Sequence, residues 1–344
     1  MNEGRAVEAI SALNQGLHQV VEASPDTVLP ANDGKLIHLT GPISTATPAR
    51  DPVFGVTGEG LLRLSRKVEM YQWKEDTSTS TSESMGGTKT TQTTYSYHRV
   101  WSESLIDSSE FHHPSGHANP SMPITSARFD SSASMLGAYH VDPGVLDEIS
   151  DFTPFEAAIA SPLPGYQAQG GAFYRGQDAA NPAIGDLRVN FEAVPSQVFS
   201  VVAAQVAGTL TPYHAANGYE IALVKPGALT SAALFAEKRQ EERILTWVLR
   251  GVGFIVMVIA FALVAGPVAT LFAVVPFLEG IVEAGTFLVA LTFAVPVTLA
   301  TIAIAWAAHR PLIGGALLAA ALVSLILLSR LHKPKAAHAA AAVP

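Results

Sequence analysis

Three long charge-free runs near the carboxyl end constrain this chain more than any other feature. Gly251 to Leu278 carries no charged residue, nor does Ala284 to Trp306, nor Pro311 to Leu328. A helix needs about 20 apolar residues to cross the hydrocarbon core of a bilayer, whereas a soluble helix keeps one polar face. The runs predict three transmembrane helices, at about 245–265, 284–306 and 311–329. Pro267, Pro276 and Pro296 are expected to kink or break them, so that 267–278 reads as re-entrant or interfacial. Trp247, Arg250, Trp306 and Arg310 fall where interfacial aromatic rings and snorkelling cations belong. Glu279 and Glu283 sit in the turn between the first two runs, beside Pro276 and Gly280. A carboxylate avoids hydrocarbon, which makes them interfacial rather than ion-handling.

Charge divides the rest. Residues 1–236 hold 13 Lys+Arg against 24 Asp+Glu, a net of −11, and residues 237–344 hold 8 against 5, a net of +3. An acidic head lacks the basic stripe that phosphate backbones require, which excludes nucleic acid as a partner. The chain has no cysteine, so disulfides, thiol nucleophiles and thiolate metal sites are excluded as well. The charged opening Met1-Asn-Glu-Gly-Arg5 is no secretory leader.

In order along the chain, Val7, Ile10, Leu13, Leu17 and Val20 recur at helical spacing until Ser24-Pro25, giving an amphipathic helix within 1–24. Residues 25–229 read as a β-rich soluble ectodomain. From Leu61 to Trp73 apolar residues alternate with Arg63, Lys67 and Glu69, and Thr94 to Ile106 reads as the partner strand. The Ser/Thr-rich connection, with Gly86-Gly87 at its centre, reads as a solvent-exposed hairpin tip. Short helices are expected around 143–159, and further strands at 35–41, 172–175, 186–191, 198–206 and 219–224. Two broadly similar β-rich halves, split near 140–160, suggest a duplication, although no motif repeats. Thr230 and Ser231 can cap a connecting helix, 230–243, that continues into the bilayer. Residues 330–344 read as a disordered tail. The fold class is therefore an α+β membrane protein: a β-rich ectodomain followed by three transmembrane helices.

The residues Tyr71, Trp73, Tyr95, Tyr97 and Trp101 form an aromatic set on the hairpin, with His117 and Asn119 following it. Aromatic side chains with polar tips are common at interfaces, and cross-strand packing accounts for them equally well. His112, His113 and His117 lie within six residues but form no helical i,i+4 pair of the zinc-protease kind, Pro114 and Gly116 standing between His113 and His117; they read as a polar loop, with no metal and no cofactor. No nucleophile elbow, phosphate loop or dinucleotide fingerprint occurs, so no catalytic residue is assigned.

At Asn2-Glu-Gly-Arg5, Val68-Glu-Met-Tyr-Gln-Trp73, Tyr95-Ser-Tyr97 and Gly116-His-Ala-Asn-Pro120 the chain resembles the transmembrane protein 43 (LUMA) family. Gly185-Asp-Leu-Arg-Val189, Leu245-Thr-Trp-Val-Leu-Arg250 and Trp306 with Arg310-Pro311 continue the match in collinear order, as in a prokaryotic-type member. The resemblance implies one N-terminal span, a large non-cytoplasmic domain and three further spans. It also implies, for eukaryotic members, the endoplasmic reticulum and inner nuclear membrane, with lamin- and emerin-type partners. Those partners are not transferred to this alanine-rich, cysteine-free chain. Here the Asn-Glu-Gly-Arg motif follows Met1 directly: either the first span lies upstream or this member lacks it. Lysine and arginine placement leans towards a cytoplasmic head; the resemblance implies the reverse, and the expectation follows the resemblance. The functional expectation is a membrane-anchored organiser or scaffold, not an enzyme, in a bacterial inner membrane or, in a eukaryote, the endoplasmic reticulum or nuclear envelope. Its expected partners are the lipid bilayer, periplasmic or lumenal proteins and a second copy. A lipid- or ligand-binding module is the alternative, and a channel or transporter subunit the third reading.

Overall fold

The computed structural model describes residues 2–83, 89–156, 163–169, 171–272, 294–304 and 311–331. The hairpin tip at Gly86-Gly87, Glu279, Glu283, Trp306, Arg310 and the tail from 332 onwards lie outside the described residues. The chain forms two units. One is the β-rich head, Ala12–Thr81 with Thr91–Lys238; the other comprises Met1–Ser11, Ser82–Thr90 and Arg239–Pro344.

In chain order, α1 (Asn2–Gln19) leads to β1 (Val21–Glu22), β2 (Leu36–Thr47), β3 (Leu61–Glu83), β4 (Lys89–Ser102), β5 (Ala127–Asp130), β6 (Ser132–Leu136) and β7 (Tyr139–Val141). A single helical turn, α2 (Pro143–Leu146), precedes β8 (Thr153–Pro154), β9 (Gln167–Gln169), β10 (Ala172–Arg175), β11 (Leu187–Pro195) and β12 (Val198–Val206). The head ends with β13 (Thr209–Thr211), β14 (Tyr213–His214), β15 (Glu220–Ile221) and β16 (Leu223–Pro226). The remaining helices are α3 (Ser231–Phe272), α4 (Ala294–Ile304) and α5 (Pro311–Leu331).

The first sheet closes on itself. β2 pairs with β6, β6 with β7, β7 with β13, β13 with β12, and β12 again with β2, while β1 and β16 pair with β2 and β12. In order of appearance the ring reads 1-2-3-5-4, with the third and fifth strands parallel. This is the connectivity of an OB-type Greek-key barrel. Ile37, Leu39 and Ile43 of β2 and Phe199, Val201 and Ala203 of β12 point into it, and Val145, Leu146 and Ile149 plug one end. Asp142 caps α2, its Oδ1 accepting from Gly144 N at 2.8 Å. The alternate residues Leu36 and Val202 face outwards and are covered by Leu13 of α1 and Leu234 and Phe235 of α3. Burial on both faces is why β2 and β12 are so apolar. The turn between β6 and β7 admits only glycine: Gly137 has φ +57° and a Cβ there would stand 2.1 Å from the Pro25 carbonyl oxygen.

The second sheet runs β4-β3-β11-β10-β9, with β5 on β3 and β8 on β11. Its core gathers Leu64, Val68, Met70, Val189, Phe191 and Phe173. Two arginines of β3 are buried here. Arg66 pairs with the fully buried Asp51 at 2.7 Å. Arg63 donates to Asp130 at 2.6 Å, to Asp147 at 2.6 Å, and to the carbonyls of Leu146, Asp147 and Ile149 at 3.1, 2.9 and 2.9 Å. Arg63 thereby fastens the second sheet to the plug of the barrel.

The expected division into two similar β halves is not what forms. The barrel takes β2 and β6 from before residue 139, β7 at 139–141 and β12 and β13 from after 160, and the second sheet likewise draws from both sides. Alternation dictates which face of a strand is buried but leaves its partner open.

Thr230 caps α3, its Oγ1 accepting from Ala233 N at 3.2 Å. α3 then runs without a break to Phe272, helical through Pro267. At its root, Glu22 of β1 accepts from the Nδ1 of buried His38. Burial pushes the Glu22 carboxyl up, but the bonds from His38 and Ser231 outweigh it and hold it below the ordinary value. Within the second unit, Arg5 of α1 pairs with the buried Glu242 of α3 at 3.2 Å. α4 touches α3 where Thr298 Oγ1 donates to Met257 Sδ at 3.3 Å. Among the described residues Ser231–Leu263 is long and apolar enough to cross a membrane, and Ala294–Ile304 and Gly314–Ser324 are shorter apolar helices.

Candidate functional site

Period-two spacing puts Tyr71, Trp73 and Glu75 on one face of β3, and Tyr95, Tyr97, Arg99 and Trp101 on the same face of β4. The hairpin pairs them: Tyr71 lies 5.2 Å from Trp101 between ring centroids, and Tyr97 donates to Glu75 Oε2 at 2.5 Å. Hydroxyl contacts at 3.5 Å, Thr79 with Thr93 and Thr81 with Thr91, carry the same register outwards.

Rings and arginines alternate along this face. The Arg188 guanidinium stands 4.6 Å above Trp101 while its Nε and Nη2 grip Glu69 at 2.5 and 2.9 Å. Arg99 lies 5.9 Å from the Tyr71 ring and 5.7 Å from Trp73. His117 meets Trp73 edge-on at 4.9 Å and stacks on Tyr97 at 3.9 Å; His112 stacks on Tyr95 at 4.0 Å. Each guanidinium over a ring adds about 0.5–1 kcal/mol at exposed sites.

The segment 103–120 is docked onto this ladder through side chains standing in for a strand. Asn119 Oδ1 accepts from Trp73 N at 2.7 Å, and its Nδ2 donates to Trp73 O at 2.9 Å and Ile106 O at 3.1 Å. Fully buried Gln72 accepts from Ile106 N at 2.8 Å and donates to Ser104 O at 3.0 Å. His112 N donates to Glu75 Oε2 at 2.6 Å, and His113 N to the Tyr97 hydroxyl at 2.9 Å. The Tyr97 bond, and behind it the His112 amide, hold the Glu75 carboxyl below its ordinary value. Burial and then the Glu75 bond push the Tyr97 phenol up.

The far end of the ladder rests on β11. Gly185 N donates to Tyr71 O at 2.9 Å and Tyr71 N to Asp186 O at 2.9 Å. Gly185 has φ +94°, and a Cβ there would come within 2.9 Å of Pro120. Tyr174 donates to Asp186 Oδ2 at 2.5 Å, and burial together with that bond pushes its phenol strongly upwards.

All seven residues expected at a partner surface (Tyr71, Trp73, Tyr95, Tyr97, Trp101, His117 and Asn119) lie in this one assembly, each half-buried. Trp247 and Arg250 lie on α3, with the guanidinium 4.8 Å over the indole. Sequence reasoning missed Glu75, Arg99 and Arg188. The parity that selected Trp73 and Tyr97 also selects Glu75 and Arg99; Arg188 had no such signal. Among the described residues no group of three or more His, Asp or Glu is placed to hold a metal ion.

A β-rich head followed by a long apolar helix defines the class: a membrane protein. A family model described as transmembrane protein 43 matches residues 70–311. Transmembrane protein 43 of Rattus norvegicus is 31% identical over 341 residues, covering 95% of this chain and 84% of the rat protein. The Homo sapiens protein is 31% identical over 97% of this chain and 86% of its own length, and the Drosophila melanogaster homolog 31% identical over 93% and 87%. No solved structure matches. The chain belongs to the transmembrane protein 43 family.

Proposed function

We propose that this protein is a non-enzymatic scaffold held in a bilayer by three helices, presenting the aromatic–arginine face of its head to a protein partner or a second copy. One observation carries the reading. Four stretches that bear the family resemblance, at 68–73, 95–97, 116–120 and 185–189, converge on the ladder although they are far apart in sequence. Tryptophan, tyrosine and arginine are the residue types enriched among those that dominate binding energy at protein interfaces. The carboxylate and imidazoles present are engaged in backbone bonds and ring stacks, an arrangement suited to holding shape rather than to proton transfer.

The second and third spans are the apolar runs at 284–306 and 311–329. The head faces the non-cytoplasmic side of a bacterial inner membrane, or the lumen of the endoplasmic reticulum and nuclear envelope in a eukaryote.

The test uses the full chain purified in detergent, crosslinked and sized against Trp73→Ala and Arg99→Ala. Loss of a hot-spot residue weakens association by ~2 kcal/mol, roughly 30-fold. Association undiminished in both variants refutes this surface. Substrate turnover by the purified chain refutes the non-enzymatic assignment.

A further inference from the structure

Where α3 passes from charged to apolar sequence, its residues sort by face. At about 100° per residue, Arg243, Trp247 and Arg250 fall within roughly 60° of arc. Glu242 and Thr246 lie on the adjoining face and are buried, Glu242 paired with Arg5 at 3.2 Å and Thr246 donating to the Glu242 carbonyl at 2.7 Å. The acid nearest the stripe is thus neutralised, and Glu241 projects to the opposite side of the helix. Trp247 is 69% exposed, Arg243 is exposed, and the Arg250 guanidinium is laid across the indole at 4.8 Å. Immediately beyond, α3 turns apolar all round: Phe254 lies on the stripe's face, and the exposed side chains Val252, Ile255, Val256 and Ile259 lie on the opposite one. Two arginines, one braced on a tryptophan, therefore stand at the boundary between water and hydrocarbon.

We propose that the Arg243–Trp247–Arg250 stripe is a binding site for the phosphate of an anionic phospholipid headgroup. A guanidinium grips phosphate oxygens with paired donors, and stacking fixes the Arg250 plane before the ligand arrives. The indole anchors at headgroup level, and two turns on from it half-buried Phe254 continues the same face into the apolar sequence, where the acyl chains begin. A zwitterionic headgroup offers the same phosphate already paired with its own ammonium, so the site selects net negative lipid. This inference is independent of the protein-binding role of the head.

The test uses the full chain in neutral detergent with equimolar phosphatidylglycerol and phosphatidylcholine, retained lipid being counted by native mass spectrometry. Phosphatidylglycerol is retained preferentially, and each of Arg243→Gln and Arg250→Gln lowers that preference about fivefold. The Arg243→Lys/Arg250→Lys pair keeps the charge but loses the paired donors and the stacked plane, so it retains only part of the preference, while Glu241→Gln leaves it unchanged; full preference in the lysine pair overturns the guanidinium site even if a glutamine variant fails to fold. Equal retention of the two lipids, or a preference unaltered in the folded glutamine variants, overturns the proposal. Inorganic phosphate is added as a further arm against chloride of equal ionic strength. Phosphate that abolishes the preference where chloride does not identifies a free-anion site and overturns the lipid assignment.

Discussion

Replacing Asn119 with alanine tests the docking of 103–120 at its most informative point. Its carboxamide makes three bonds to backbone groups, two of them to Trp73, which has no strand residue opposite it there. A net ~1 kcal/mol for each bond, reduced because the site is half-buried and water can replace part of the loss, gives ~2–3 kcal/mol. That free energy belongs to local opening of the docked segment rather than to global unfolding. Hydrogen–deuterium exchange of the full chain in detergent reads it directly: the Trp73 amide exchanges roughly 30- to 150-fold faster in Asn119→Ala. Asn119→Asp is expected to be worse at neutral pH. It would set a carboxylate oxygen against the two carbonyls that Nδ2 now approaches at 2.9 and 3.1 Å, and acidification should ease the defect by restoring a donor. Wild-type exchange at Trp73 in the alanine variant would show that the segment is held by its ring contacts alone.

Arg63→Ala strips five donor contacts from two carboxylates and three carbonyls and should cost about 3 kcal/mol in urea unfolding; Arg63→Lys should recover less than half, one ammonium being unable to span them. Gly137→Ala forces a side chain into a positive-φ turn against the Pro25 carbonyl. It should cost at least ~2 kcal/mol and lower the thermal midpoint of the head by roughly 4–8 °C. Glu75 has a carboxyl depressed below its ordinary value, so the stability it contributes is present above pH 4.5 and lost as pH falls through its lowered pKa. Exchange at His112 should therefore accelerate in acid, and Glu75→Gln should accelerate it at neutral pH while removing that acid limb.

Much of the local structure was legible because it follows from periods of two and 3.6. The helix carrying Leu13 and Leu17, the alternating strand from Leu61 and the apolar stretch of α3 each reveal a buried or lipid-facing side by spacing alone. Pairing was not legible. β2 finds β12 some 160 residues later, as in the Thr40–Ser200 hydroxyl contact at 2.9 Å, and no local pattern encodes that choice. Nor does alternation separate Arg63 from Lys67: both sit on charged positions of one strand, and only the distant Asp130 and Asp147 make burial of the first tolerable. At the candidate site the aromatic residues announced themselves. Asn119 gave no sign that a side-chain amide would stand where a strand should.

The ring of strands in the head has a consequence for synthesis. Its closing members, β12 and β13, leave the ribosome only just before α3, which begins at Ser231. Until then β2 has no partner along one edge, and unsatisfied strand edges invite association with other nascent chains. Any product that stops before Val198 therefore lacks the two strands that close the ring and leaves that edge of β2 open.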